Sequence, residues 1–175
     1  MNNQNGFTLI ELIITLAIMG ILSAYGLPDF YELKLNKQLQ SERNRLTGSL
    51  QLARSYSVMH QSFVIVCPSL SGNGCDNQSN WHEGWIIFTD KNKNRQLDPE
   101  DRLLRHEDAM VKQIQAVSSS HRSKIRYNNV GFSPGTNLSI NFCDPRGEEK
   151  AIALIVSNSG RVKQSKPISS NVCSQ

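Results

Sequence analysis

Residues 7–27 read FTLIELIITLAIMGILSAYGL and carry a single charged side chain, that of Glu11. An α-helix of this length spans about 31 Å, which is close to the thickness of the hydrocarbon core of a bilayer. The six residues before it, MNNQNG, are uncharged, and the first Lys or Arg after it is Lys34. The chain therefore opens with an apolar helix and continues with a segment of different composition.

Four interpretations of this apolar segment are open. A secretory signal peptide would need a basic start and a shorter apolar run of about 7–15 residues. A plain membrane anchor leaves Glu11 without a partner, although a carboxylate in lipid costs roughly 2–4 kcal/mol. A buried core helix would be unusually uniform. The fourth interpretation rests on residues 6–12, GFTLIEL, which resemble the cleavage site of type IV prepilins.

The prepilin resemblance implies a processing site and a partner for the buried charge. Prepilin peptidase would cleave after Gly6, and Phe7 would become the N-methylated first residue. Glu11 would meet the free N-terminal amine of a neighbouring subunit during filament assembly, in keeping with the rule that intramembrane charges are paired. The resemblance also implies a single-pass protein of the bacterial inner membrane with a periplasmic head, assembled into a pilus or pseudopilus at the cell surface.

The apolar helix is predicted to continue through residues 28–61. Pro28 would kink the helix rather than end it. A loose apolar stripe follows at helical spacing: Phe30, Leu33, Leu39, Leu46, Leu50, Ala53 and Met59. The charged side chains between them are interpreted as a solvated face: Glu32, Lys34, Lys37, Glu42, Arg43, Arg45 and Arg54.

The remainder, residues 62–175, is predicted to be a β-rich globular head with a C-terminal tail. Short runs rich in β-branched and aromatic residues, separated by Gly, Pro, Asn and Asp, indicate antiparallel strands. They lie at 62–67, 85–89, 102–106, 110–117, 123–130, 137–143 and 151–157. The expected fold is α+β and pilin-like: residues 1–6 are a leader, 7–27 a transmembrane helix segment and 28–61 an amphipathic continuation packed on the head.

The four cysteines of the chain indicate disulfides if the head is exported. Four cysteines allow three pairings. We expect Cys67–Cys75 and Cys143–Cys173, because each would join a strand end to an adjacent loop or tail. The sequence holds no CxxC pair, and the histidines do not cluster with the cysteines, so a cysteine-based metal site is not expected.

The loop after strand 85–89 reads DKNKNRQLDPED over residues 90–101 and resembles a calcium loop of the D-x-N-x-N type. Its oxygen-bearing side chains recur at Asp90, Asn92, Asn94, Asp98 and Asp101. Arg95 stands where glycine is usual, and Asp101 stands where a bidentate glutamate is usual. A hydrogen-bonded turn explains the same residues, so our expectation is no metal and no cofactor, with calcium as the alternative.

Motifs in the head narrow the family. The segment from Trp81 to Arg105, with FSPG at 132–135, NFCD at 141–144 and SGRV at 159–162, resembles minor pilins and pseudopilins of the FimT/GspH type. That resemblance covers nearly the whole mature chain. It implies partnership with other pilins or pseudopilins and a place near the tip of a type IV pilus or of a type II secretion pseudopilus. The chain carries no G-x-S-x-G, HExxH or phosphate-binding glycine loop, and we expect no enzyme.

The charge is unevenly distributed along the head. The whole chain has a formal net charge of +4, but residues 111–175 hold nine basic and three acidic side chains. Such a surface favours polyanions, and Gly160-Arg161-Val162-Lys163 resembles the Gly-Arg-x-Arg element of FimT-type pilins that bind DNA during natural transformation. The candidate contacts to double-stranded DNA are Arg161, Lys163, Arg146, Lys166, Arg122, Lys124 and Arg126. The alternative function is that of a GspH-like minor pseudopilin in type II protein secretion.

Overall fold

Helix α1 begins at Leu9 and ends at Met59 in the computed structural model, which describes residues 8–119, 121–167 and 173. Thr8 precedes the helix, and its Oγ1 accepts a hydrogen bond from the backbone N–H of Glu11 at 3.3 Å. This contact satisfies one of the unpaired N–H groups of the first turn. The backbone stays helical through Pro28, as the sequence predicts.

The chain divides into two compact units, residues 1–37 and residues 38–175. In the first unit, the large apolar side chains between Leu9 and Leu22 are all at least half exposed. Within the described residues, no helix combines the length and the apolar character that a membrane crossing requires. Gly6 and Phe7 lie outside the described residues, so the processing site and the transmembrane segment stay predictions.

The second unit contains the rest of α1 and two antiparallel sheets. The first sheet has the strand order β3-β2-β1-β5. It consists of β1 (Val64–Pro68), β2 (Trp85–Thr89), β3 (Leu103–Glu107) and β5 (Ile125–Tyr127). The second sheet has the order β4-β6-β7-β8. It consists of β4 (Gln115–Ser118), β6 (Leu138–Cys143), β7 (Ile152–Val156) and β8 (Val162–Ser165). Short 3₁₀ turns lie at Trp81–Glu83 and Glu148–Lys150.

Seven of these strands overlap the predicted runs, and β8 is the strand that the sequence analysis missed. The segment Val-Lys-Gln-Ser has one β-branched residue and carries little intrinsic strand preference. It forms a strand because it pairs with β7, with Val162 opposite Val156. The predicted run 110–117 is strand only from Gln115, because residues 111–114 close a turn between Val111 and Ile114.

The core of the second unit lies between α1 and the two sheets. Leu39, Leu46, Leu50 and Ala53 of the predicted helical stripe are buried there, whereas Met59 is 77% exposed. The sheets contribute large side chains to the same cluster: Trp81, Trp85, Tyr127, Ile140, Phe142 and Leu154.

The interpretation of Glu42 as part of a solvated helix face was wrong. Glu42 is 5% exposed. Its carboxylate accepts the backbone N–H of Val111 at 3.2 Å and pairs with Arg45 at 3.3 Å. Arg45 in turn lies over the ring of Trp85, 4.8 Å from the centroid. A charged residue can occupy a buried helical position when hydrogen bonds and an ion pair offset its desolvation.

Candidate functional site

The turn between β7 and β8 presents the Gly-Arg-x-Lys element. We call residues 157–161 the Gly160 turn. The N–H of Gly160 donates to the carbonyl of Ser157 at 2.8 Å, and the N–H of Ser157 donates to the carbonyl of Arg161 at 3.0 Å. Gly160 has φ +74°, a left-handed conformation that favours glycine. The turn therefore closes the hairpin immediately before Arg161.

A second turn, residues 128–133, lies against the Gly160 turn. A Cβ at Gly160 would stand 2.1 Å from the carbonyl oxygen of Gly131, so only glycine allows the two backbones to approach this closely. The N–H of Ser133 donates to the carbonyl of Asn158 at 2.9 Å. From α1, Nε of Arg54 donates to the carbonyl of Gly131 at 3.0 Å. The helix and the two turns thus fix one another.

Arg161 and Lys163 are exposed on either side of the half-buried Val162. Because side chains alternate along a strand and Val162 packs against the core, both cations project outward. No salt bridge to either side chain occurs among the described residues. A shallow cavity of about 340 Å³ lies beside them. It is lined by Leu50, Gln51, Arg54, Gly160, Arg161, Val162 and Lys163.

Two arginines of α1 add positive charge to this surface, and the sequence analysis did not assign them to it. Arg54 lines the cavity, and Arg43 donates through Nη1 to the side-chain oxygen of Gln164 on β8. Their separation of eleven residues places both on one helix face. We call Arg43, Arg54, Arg161 and Lys163 the basic surface. The spacing of the two arginines is visible in the sequence. The sequence does not show that β8 lies next to this face of the helix.

The other predicted DNA contacts are not gathered at the basic surface, except that Lys166 is exposed just beyond β8. Arg146 is held by Asp144 through several hydrogen bonds at 2.5–3.1 Å, and its side chain is 11% exposed. Arg122 donates to the carbonyl of Asn137 at 3.0 Å. The guanidinium of Arg126 lies 5.6 Å from the ring centroid of Phe63.

Lys124 faces the loop of residues 90–101, where its Nζ donates to the carbonyl of Arg95 at 3.2 Å. Burial, and then the nearby charge of Arg95, lower the pKa of Lys124. Lys124 therefore belongs to the surroundings of the 90–101 loop, and it does not line the cavity beside Arg161 and Lys163.

The cysteines form two bridges, Cys67–Cys75 and Cys143–Cys173. These are the two pairs expected from the sequence. The first bridge closes the loop that follows β1, and the second joins the end of β6 to the C-terminal tail. The described part of the chain holds no group of three His, Cys, Asp or Glu side chains that could bind a metal ion.

Glu11 lies in the first turn of α1. Its side chain is exposed within the apolar stretch of the first unit. Its role in filament assembly stays a prediction.

A long N-terminal helix and two antiparallel sheets define a pilin-like fold. Residues 42–160 match the family profile described as type II transport protein GspH, and residues 1–26 match the prokaryotic N-terminal methylation motif. The chain belongs to the GspH family of minor pilins and pseudopilins. Proteins of this structural family are generally not enzymes.

Two curated relatives are a pilin-like protein and a pilin. The chain is 29% identical over 96 residues to the pilin-like protein PilA1 of Thermus thermophilus, covering 55% of this chain and 54% of the relative. It is 44% identical over 55 residues to the type IV major alpha-pilin of Moraxella bovis, covering 31% and 32% of the two chains. The chain thus spans about half or less of the length of these relatives.

The fold is similar to that of the type IV minor pilin FimU of Pseudomonas aeruginosa. The TM-score is 0.59 at 20% sequence identity, with 74% of this chain and 89% of the FimU chain covered. A second crystal form of FimU gives a TM-score of 0.56.

Proposed function

We propose that this protein is a minor pilin of a type IV pilus that acts near the filament tip and binds DNA through its basic surface. The observation that carries the DNA part is the pair Arg161 and Lys163, which are exposed and without salt bridges to described residues. They follow a turn that packs against the 128–133 turn, which Arg54 of α1 holds in place. The turn fixes the backbone that carries both residues, so binding a phosphate orders only their side chains.

The chemistry of the surface favours phosphate contacts over base reading. Arginine offers a planar fork that matches phosphate oxygens, whereas Lys163, where FimT-type pilins have a second arginine, supplies a point charge. Contacts to the backbone of DNA carry no sequence information. Binding is therefore expected to be independent of sequence and sensitive to salt.

The test is a fluorescence anisotropy titration of the full-length chain, in non-ionic detergent micelles, with duplex DNA over a salt series. If the four cations of the basic surface neutralise four phosphates, the log–log slope of affinity against salt is about -3.6. The double variant Arg161→Glu/Lys163→Glu should reduce the slope to about -1.8, because two contacts are lost.

The matched control is Lys112→Glu/Lys150→Glu, which changes the net charge by the same amount. Both positions are exposed, and neither lines the cavity beside Arg161 and Lys163. It should keep the wild-type slope. Equal weakening by both double variants would mean that net charge alone governs binding, and the basic surface would not be a site.

Maturation of the N-terminus is the second part of the proposal. The methylation motif and the exposed apolar side chains between Leu9 and Leu22 support cleavage by prepilin peptidase after Gly6, methylation of Phe7 and anchoring in the inner membrane. Exposed apolar surface of this extent needs lipid or neighbouring helices around it, and Glu11 would pair with a neighbouring N-terminal amine. Intact-mass spectrometry of membrane-extracted protein checks this. A chain that still begins at Met1 in cells with active peptidase would contradict it.

The family description favours one alternative, a minor pseudopilin of a type II secretion system. The two assignments differ in what a deletion strain loses. A minor pilin is required for pili at the cell surface, whereas a pseudopilin is required for release of secreted proteins. Counting pili and measuring secreted protein in the same deletion strain separates them.

A further inference from the structure

The loop between β2 and β3, residues 90–101, brings several oxygen-bearing side chains together. Nδ2 of Asn92 and Nδ2 of Asn94 lie 2.8 Å and 2.6 Å from the same carboxylate oxygen of Asp98. The ends of three polar side chains, those of Asn92, Asn94 and Asp98, therefore meet at one point. Amide and carboxylate oxygens are the ligands that calcium prefers.

Asp90 supplies an independent observation. This residue is fully buried, and its Oδ2 accepts the backbone N–H of Arg95 at 3.3 Å, so the carboxylate faces the backbone of the loop. Its Oδ1 is also buried and has no hydrogen-bond partner among the described residues. A buried carboxylate oxygen without a partner is costly, and such atoms in native structures usually meet water or an ion.

The backbone of the loop has the conformation that a calcium loop needs at its sixth position. Arg95 has φ +63°, the left-handed geometry for which calcium loops use glycine. Leu97 anchors the loop by packing against the cluster of Ile65, Cys67, Ile86 and Phe88. The ammonium of Lys93 lies 4.8 Å from the ring centroid of Phe63, where the aromatic face partly offsets its charge.

We propose that the 90–101 loop binds one Ca²⁺ ion through the free oxygen of Asp90, the amide oxygens of Asn92 and Asn94, and the carboxylate of Asp98. The Oδ1 atoms of Asn92 and Asn94 accept the backbone N–H groups of Asn94 at 3.2 Å and Gln96 at 2.8 Å. Both amides must rotate about their terminal torsion to present oxygen instead of nitrogen to the ion, and the rotation exchanges these two hydrogen bonds for metal ligation. The backbone carbonyl of Gln96, at the seventh position, is the expected fifth ligand.

Asp101 has a different role in this arrangement. Its two oxygens accept the backbone N–H groups of Lys91 at 2.9 Å and Asp98 at 3.1 Å. Asp101 therefore braces the loop, and two carboxylates remain for the ion. Because most ligands are neutral, we expect a dissociation constant of about 10⁻⁴–10⁻³ M. Mg²⁺ demands stricter geometry and retains its water, so it should bind more weakly.

The test measures the melting temperature and the heat of binding of the full-length chain in detergent micelles, dialysed against a chelator and titrated with CaCl₂ or MgCl₂. At ten times its dissociation constant, Ca²⁺ should raise Tm by about 3–6 °C. Asp98→Asn should weaken binding at least about tenfold, because one of two ligand charges is lost. Arg95→Gly should tighten binding, because glycine adopts the left-handed turn without strain.

The matched control is Glu100→Gln, which removes an exposed carboxylate from the same loop and should leave the Ca²⁺ response unchanged. The proposal is overturned if wild-type protein shows neither a heat nor a Tm shift, if Mg²⁺ gives the same shift, or if Asp98→Asn responds like Glu100→Gln. Because Asp90 is buried, Asp90→Asn is used only if its far-UV circular dichroism spectrum matches that of the wild type. Asp98→Asn and Arg95→Gly test the proposal without this variant.

Discussion

The Gly160 turn and the 90–101 loop each connect two neighbouring antiparallel strands, and they are held in opposite ways. The Gly160 turn is fixed from outside, by a close backbone approach to Gly131 and by Arg54 of the helix. The 90–101 loop is fixed mainly from within, by its own Asp and Asn side chains, with Leu97 and Lys124 as its contacts to the rest of the head. A turn held by backbone contact depends on one glycine, whereas a loop held by side chains spreads its stability over several residues.

The strongest test of this difference is Gly160→Ala. The new Cβ would collide with the carbonyl of Gly131 and would also occupy a left-handed conformation, so we expect a loss of about 3 kcal/mol in the free energy of unfolding. Gly135→Ala is the control, because Gly135 has a similar φ of +75° but open space around a Cβ. It should cost about 1 kcal/mol. Urea unfolding followed by the fluorescence of the buried Trp81 and Trp85 measures both, and equal losses would show that the contact with Gly131 contributes nothing.

A smaller effect is expected for Asp101→Ala in the 90–101 loop. Two backbone N–H groups lose a charged acceptor, which should cost about 2 kcal/mol. DNA affinity should stay unchanged, because Asp101 does not contact the basic surface. The same unfolding experiment, run in chelator, measures the loss, with Glu100→Ala as the exposed control at under about 0.5 kcal/mol. A loss no larger than that of the control would mean that the loop is not held from within.

The smallest expected effect is a dependence on pH. Hydrogen bonds from Asn92 and then Asn94 lower the pKa of Asp98 below its usual 3.8. A carboxyl group with a lowered folded-state pKa stabilises the fold fully above its unfolded-state pKa, and that contribution disappears as the pH falls through the folded-state value. Unfolding curves of wild type and Asp98→Asn, measured in chelator, should therefore converge as the pH falls below 3.8 and through the lowered folded-state pKa. A constant gap from neutral to acid pH would contradict the assignment.

The sequence predicts those parts of the molecule that depend on local pattern. The apolar segment with Glu11, the strand periodicity and the short motifs of the head are local signals, and the fold and family follow from them. The position of Arg54 against Gly131 depends on residues 77 apart in the chain, and no local pattern encodes it. Arg146 is a different case, because its partner Asp144 stands only two residues earlier. The turn that the N–H of Gly147 closes on the carbonyl of Asp144 brings the two side chains together, and the sequence analysis counted Arg146 as a free cation.

The burial of Glu42 is another feature that the sequence analysis did not predict. Its spacing from Leu39 and Leu46 fits the buried stripe, but a charged residue on a helix is ordinarily solvated. Only the neighbouring Arg45 and the N–H of Val111, brought together by the fold, make the buried position acceptable.

The bridge between Cys143 and Cys173 makes a covalent ring of the chain between them, and the Gly160 turn lies inside that ring. A protease that cuts one peptide bond within the ring would add a water molecule but release no fragment. The nicked chain would migrate as two pieces only after reduction. A filament subunit exposed to proteases outside the cell would thus keep Arg161 and Lys163 attached to the filament after a first cut.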